Sequence, residues 1–171
     1  MINLLRILAA INNIYKKTTS LRFVTANARS LAPKIRSLIT CFDELDLHFS
    51  LINESWLKDG EKLEEDAQDL ELGQNLKIFH RNRTLRRGKT AGGGVAILYD
   101  KSRIAMSERK YNWGKTEAIM AVGKIAGISR KIVIISMYIP PQTRANKVLE
   151  SLTLVRNAIG SVKNEMDDPL L

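Results

Sequence analysis

The sequence predicts a layered α/β protein with a mixed sheet rather than a purely doubly wound one. Strand-like segments outnumber helix-like ones, several of them follow one another as hairpin-like runs, and helical stretches bracket the set. No Ser/Gly-rich linker divides the chain, and no internal repeat or low-complexity tract interrupts it.

Each element has its own signal. Residues 21–26 (LRFVTA) form a short β-rich run that ends in a turn at Asn27. Leu31, Ile35, Leu38, Ile39 and Phe42 recur at helical spacing, and Pro33 suits a first helical turn. Residues 47–52 (LHFSLI) read as a buried strand running into Asn53-Glu54-Ser55-Trp56. Residues 59–71 are polar and acidic, a loop or short helices. A strand at 76–80 leads into a basic loop, and Gly92-Gly93-Gly94 opens the strand 95–99. Further strands are expected at 103–109, 117–125 and 131–139, the last stopped by Pro140-Pro141. Leu149, Leu152, Val155, Ile159 and Val162 mark a closing amphipathic helix.

The composition narrows the class. The 171 residues are 44% hydrophobic and 26% charged, a globular balance with enough apolar material for one core. A disulfide scaffold is excluded, because Cys41 is the single cysteine. No apolar run reaches the roughly 18–20 residues of a membrane-spanning helix; the basic charge suits nucleic acid first and an anionic membrane surface second, and the expectation is DNA and no membrane. Residues 1–20 are an N-terminal extension that can form an accessory helix. Arg6 interrupts their apolar run and Lys16-Lys17 follow it, the wrong order for a secretory signal.

Lys and Arg number 27 against 18 Asp and Glu, a net charge of +9 that favours a polyanionic partner. Lys77, Arg81, Arg83, Arg86, Arg87 and Lys89 follow one another with no acid among them. Any one of these arginines fits a solvated loop equally well. As a cluster, Arg81, Arg83, Arg86 and Arg87 are candidates for phosphate contact with nucleic acid.

Several chemistries are excluded. His48, His80 and Cys41 supply no zinc ligand set, and no serine nucleophile elbow is present. Gly92-Gly93-Gly94 precedes a strand rather than a helix, so it is read as a close turn into the sheet, not a phosphate cradle. What remains is a set of polar residues at strand ends: Asn27, Glu54 and Tyr138. A lone carboxylate there can hold Mg²⁺, which takes one or two carboxylates and keeps several waters. Each residue also has an ordinary structural reading, as a turn former, a cap or a rim aromatic.

Their order and wording resemble one family. FVTANARSL (23–31), INESWL (52–57), GGGVAILY (92–99) and MYIPP (137–141) are similar, in sequence order, to motifs of the endonuclease/exonuclease/phosphatase superfamily. The wording is most similar to the apurinic/apyrimidinic-like endonuclease domain of LINE-type (non-LTR) retrotransposons. The resemblance covers residues 21–171. It implies a four-layer sandwich, two β-sheets face to face with helices outside, and Mg²⁺-dependent hydrolysis of a DNA phosphodiester. Glu54 would bind the metal, Asn27 would support the metal–phosphate end, and Tyr138 would hydrogen-bond the scissile phosphate. Glu117 matches a commonly acidic position and is expected to be structural.

The family's later motifs, Gly-Asp-Phe-Asn and a terminal Ser-Asp-His, do not occur in these residues. The resemblance therefore implies an incomplete sandwich, its N-terminal part, with one face of the first sheet lacking its packing partner. It also implies a domain inactive by itself, since the Asp that orients the attacking water is among the missing parts. A full-length relative would carry a reverse-transcriptase domain, absent here, and would act on nuclear DNA. Two other readings stand beside this one: a catalytically dead nucleic-acid-binding fragment, and an inositol-phosphate or lipid phosphatase of the same superfamily.

Overall fold

The computed structural model describes residues 21–58, 63, 72–83, 92–125 and 131–166. The expectations for residues 1–20, for most of the acidic segment 59–71, and for Arg86 and Arg87 lie outside these residues.

Strand β1 (Phe23–Asn27) is followed by a 3-10 turn (Ala32–Lys34) and helix α1 (Ile35–Glu44), which return the chain to β2 (Phe49–Asn53). After the acidic segment come a 3-10 turn (Leu72–Asn75), β3 (Leu76–Arg81) and β4 (Val95–Asp100). Then β5 (Ile104–Arg109), β6 (Glu117–Ile125), β7 (Lys131–Tyr138) and helix α2 (Ala145–Met166) complete the order. Pro33 falls in the 3-10 turn just before α1, where its missing N–H costs nothing.

The strands form two sheets, not one. The first runs β1-β2-β4-β3 and is mixed: β1 lies parallel to β2, and the other pairs are antiparallel. The second, β5-β6-β7, is wholly antiparallel. Side chains alternate across a strand, and here the alternation sorts the core into layers. Phe49, Val95, Ile97 and Tyr99 from the first sheet meet Ile104, Ile119, Ala121 and Ile134 from the second. On the outer face of the first sheet, Ile52, Ala96 and Leu98 pack against Leu31, Ile35, Ile39 and Phe42. On the outer face of the second, Ala118, Met120 and Val122 pack against Ala158 and Val162 of α2, with Trp113 closing the cluster.

The result is helix, sheet, sheet, helix: the four-layer sandwich implied by the resemblance. One expectation is corrected in part. The face turned away from α1 is bare only in part: β5–β7 cover Phe49 and β4 there, while Phe23 of β1, stacked on Phe49, stays 52% exposed, and Thr25 and Asn27 on the same face are exposed too. Strand β4, all six residues buried, is the centre of that double packing.

The face α2 presents also differs from its hydrophobic pattern. Among the described residues Ser151, Ala158 and Val162 are its buried ones, whereas Leu149, Leu152 and Ile159 are exposed. Small residues let the helix approach the sheet closely, and the Ser151 hydroxyl meets that of Thr116 at 3.0 Å. Among the described residues no helix is long and apolar enough to cross a membrane.

At the end of β4 opposite the polar strand ends, buried Asp100 accepts from the Ser102 backbone N–H (2.9 Å) and hydroxyl (2.6 Å) and pairs with Arg103 (2.9 Å). That polar knot fixes the β4–β5 turn, the point where the chain passes from one sheet to the other.

Candidate functional site

The topology gathers one set of strand ends. Parallel β1 and β2 end side by side, with Asn27 in register with Asn53 and Asn53 in register with Val95 at the start of β4. In the second sheet Glu117, the first residue of β6, is in register with Tyr138, the last of β7. Asn27, Glu54 and Tyr138, far apart in sequence, thereby meet at one end of the sandwich.

Their contacts are direct. The Tyr138 hydroxyl donates to Glu54 Oε1 at 2.6 Å, and the Asn27 side chain also hydrogen-bonds the Glu54 carboxylate. Asn27 Oδ1 accepts the Arg29 backbone N–H at 3.2 Å, which leaves the Asn27 amide NH₂ to donate to Glu54. These bonds, Tyr138 first and Asn27 second, hold the Glu54 carboxyl below its ordinary range, against an opposing effect of burial. Arg29 and Arg83 add smaller contributions in the same direction. The same bond to Glu54 pushes the Tyr138 phenol up. Glu54 is thus a carboxylate at neutral pH, with a donor fixed on one oxygen.

The loop carrying Glu54 is strained and clamped. Glu54 and Trp56 have φ of 52° and 53°, and Arg29 and Ser30 on the neighbouring loop have 43° and 80°. A left-handed L-residue costs roughly 1–2 kcal/mol, so each must be held by its surroundings. The Ser30 N–H donates to Glu54 O (3.0 Å) and the Leu31 N–H to Ser55 O (2.9 Å). From the other side, Ser55 and Trp56 donate their N–H groups to Gly94 O (3.2 Å) and Gly93 O (3.0 Å). Lys34 completes the brace by donating its ammonium to the carbonyls of Ala28, Arg29 and Ser30.

The glycines do what their position before a strand suggests. At Gly94, φ is +83° and a Cβ would lie 2.8 Å from the Ser55 hydroxyl; at Gly93 it would strike the Arg83 side chain and Glu117. Only glycine lets the chain pass that closely.

Glu117 and Arg83 form a latch behind this turn. Glu117 Oε2 accepts the buried Gly94 N–H at 2.6 Å, and Oε1 pairs with Arg83 Nε. The Arg83 guanidinium carbon also lies 5.8 Å from the centre of the Tyr138 ring. Glu117 therefore has the structural part expected of it, joining the two sheets beneath the Glu54 loop. Arg83, read from sequence as a phosphate-contact candidate, is placed beside Tyr138 and engaged by Glu117. Arg81 donates to Gly114 O at 3.1 Å. The latch residues lie 34 positions apart, and no local sequence pattern pairs them.

Among the described residues no group of three or more His, Cys, Asp or Glu side chains converges. A closed metal cage is not built here. One ionised carboxylate with a hydroxyl and an amide beside it suits a hard cation that keeps most of its water, which is the habit of Mg²⁺.

Solved structures of low sequence identity share this fold, two of them with TM-scores above 0.5. The human Nocturnin catalytic domain with bound sulfate aligns with TM-score 0.51 and 10% identity, over 72% of this chain and 51% of that one. D. rerio TDP2 complexed with single-strand DNA product aligns with TM-score 0.52 and 13% identity, over 85% and 56%. An AP endonuclease from Archaeoglobus fulgidus aligns at TM-score 0.46 and 16% identity, over 74% and 44%. The chain spans about half the length of the solved chains it matches. By sequence, no protein family and no curated protein matches it.

Proposed function

We propose that these residues are the metal-and-phosphate half of a Mg²⁺-dependent DNA endonuclease domain of the LINE-type retrotransposon kind. The observation that carries this reading is the convergence of Tyr138, Asn27 and Glu54 on one carboxylate. Glu54 would hold Mg²⁺, which when bound polarises the phosphoryl oxygens and steadies the leaving oxygen. Asn27 fixes the rotamer of Glu54 by donating to it. Tyr138 has a hydroxyl proton at the same edge and is placed to donate to a phosphate oxygen once a ligand competes for it. Arg83, over the Tyr138 ring, adds positive charge beside it.

The wording E-S-W-L and GGGVAI supports a nuclease over a lipid or inositol-phosphate phosphatase of the same fold, and the net charge of +9 suits DNA. Arg86 and Arg87 remain proposed phosphate contacts, with a reverse-transcriptase domain the expected companion in a full-length relative and the nucleus the place of action.

No Gly-Asp-Phe-Asn or Ser-Asp-His sequence occurs in these 171 residues, and the proposal is that, tested by themselves, they bind DNA without cutting it. The test is nicking of supercoiled plasmid with Mg²⁺ by this chain and by Glu54→Gln. The expected result is DNA binding without nicking by either. Nicking that vanishes in Glu54→Gln would keep the site and refute the inactivity; nicking equal in both would remove Glu54 from the site.

A further inference from the structure

Two residues beyond Glu54 stands Trp56, whose side chain the fold leaves outside while burying both neighbours. Ser55 and Leu57 are 1% and 6% exposed, and Trp56 is 39% exposed. The chain's other tryptophan, Trp113, is 2% exposed, so the core had use for an indole but not for this one. Trp56 also holds a left-handed backbone, φ 53°, which a bulky aromatic adopts rarely and only under constraint. The constraint is its N–H bond to Gly93 O at 3.0 Å, part of the clamp that fixes Glu54. A rigid aromatic is thus presented at the strand ends that carry Glu54 and Tyr138. The Arg83 guanidinium carbon lies 5.8 Å from the centre of the Tyr138 ring at the same strand ends.

An exposed indole on the clamped loop two residues from Glu54, whose carboxylate accepts the Tyr138 hydroxyl, matches one ligand chemistry well. Phosphates meet the cations, and a base that has left its helical stack meets the ring. A base inside a duplex cannot do so, because both of its faces are already covered.

We infer that Trp56 is a stacking platform for an unpaired nucleobase next to the phosphate held at Glu54 and Tyr138, which makes single-stranded or locally opened DNA the preferred ligand. The inference rests on the reading of the site given under Proposed function. It concerns binding alone and is tested without cleavage.

The experiment measures fluorescence anisotropy of labelled 12-nucleotide strands with the full chain in EDTA. Three probes are compared: a mixed-sequence single strand, a strand of equal length in which every base is replaced by a tetrahydrofuran abasic unit, and the corresponding duplex. Proteins are wild type, Trp56→Phe and Trp56→Leu, each checked for fold by circular dichroism. Phe keeps a ring and Leu keeps only apolar bulk, so a packing defect and a stacking defect separate.

The wild type should bind the base-bearing strand about tenfold more tightly than the abasic one, within the range for one stacked base. Trp56→Leu should reduce that preference to twofold or less while leaving abasic affinity and its salt dependence unchanged. Trp56→Phe should retain most of it, and duplex affinity should not respond to either change. The inference is overturned if the wild type shows no preference for bases, or if Trp56→Leu weakens all three probes equally. It is also overturned if the ring matters as much for duplex, or if no probe binds, in which case the exposed indole belongs to a protein contact. A base preference that depends on Trp56, in a protein that needs Glu54 for no metal-dependent step, would retain this inference and refute the nuclease reading.

Discussion

Glu117→Ala should be among the most damaging single changes outside the hydrophobic core. The Glu117 carboxylate accepts a buried backbone N–H from Gly94 and pairs with Arg83. Removing it leaves the Gly94 N–H without its acceptor, and hydrogen bonds to charged groups contribute about 1.5–3 kcal/mol. The ion pair adds less, about 0.5–1 kcal/mol, because the Arg83 side chain is 32% exposed and water screens it. Together the loss is about 2–4 kcal/mol, a large share of the roughly 5–15 kcal/mol typical of a domain. Glu117→Gln keeps an amide oxygen for Gly94 and should cost about half as much. Urea unfolding followed by tryptophan fluorescence checks both, with the midpoint shifting and the slope unchanged. If Glu117→Ala lies within 0.5 kcal/mol of wild type, on the order of an ordinary surface change, the latch does not hold the two sheets.

Gly94→Ala should destabilise by about 2–4 kcal/mol, combining left-handed strain with a Cβ 2.8 Å from the Ser55 hydroxyl; urea midpoints measure it. In Tyr138→Phe the Glu54 carboxyl should titrate at higher pH, followed by the side-chain carboxyl resonance in NMR, because its principal stabilising donor is gone. The sign of the accompanying stability change follows from linkage. A depressed folded-state pKa stabilises above the unfolded carboxylate range and is lost as pH falls through the folded value. Tyr138→Phe should therefore be less stable than wild type at pH 7, with the gap closing under acid conditions; a gap that widens in acid would refute the assignment.

Much of this site was legible before any fold was known, because strand ends announce themselves. Asn27 closes a β-rich run, Glu54 follows another, and Tyr138 precedes Pro140-Pro141, so each was placed at a tip by local chemistry. The latch was not legible. Arg83 reads as one more cation in a basic stretch, and only the meeting of the two sheets gives it Glu117. The division into two sheets was likewise hidden from the periodicity itself. Alternation shows which face of a strand is buried, not against what, and β4 is buried on both faces and carries no alternation at all. The resemblance, not the pattern, supplied the sandwich. On the first sheet's covering it was right in part: β5–β7 pack on Phe49 and β4, and Phe23 of β1 on the same face stays exposed.

Helix α2 was legible, with Val155 and Val162 of its predicted face packed on the second sheet, but three of that face's residues were not placed correctly. Hydropathy weights Leu149, Leu152 and Ile159, yet these are exposed, and Ala158 and Val162, with Leu154 and Val155 beside them, take the contact.

The central claim is that the Glu54 carboxylate, aligned by Tyr138 and Asn27, is a divalent-cation ligand. The most direct measurement is Mn²⁺ titration of the chain followed by electron paramagnetic resonance, with Mn²⁺ standing in for Mg²⁺. Wild type should bind one Mn²⁺ that excess Mg²⁺ displaces, and Glu54→Gln should bind none at that site while keeping its fold. Equal Mn²⁺ binding by the two proteins would contradict the claim and return Glu54 to the role of a turn residue.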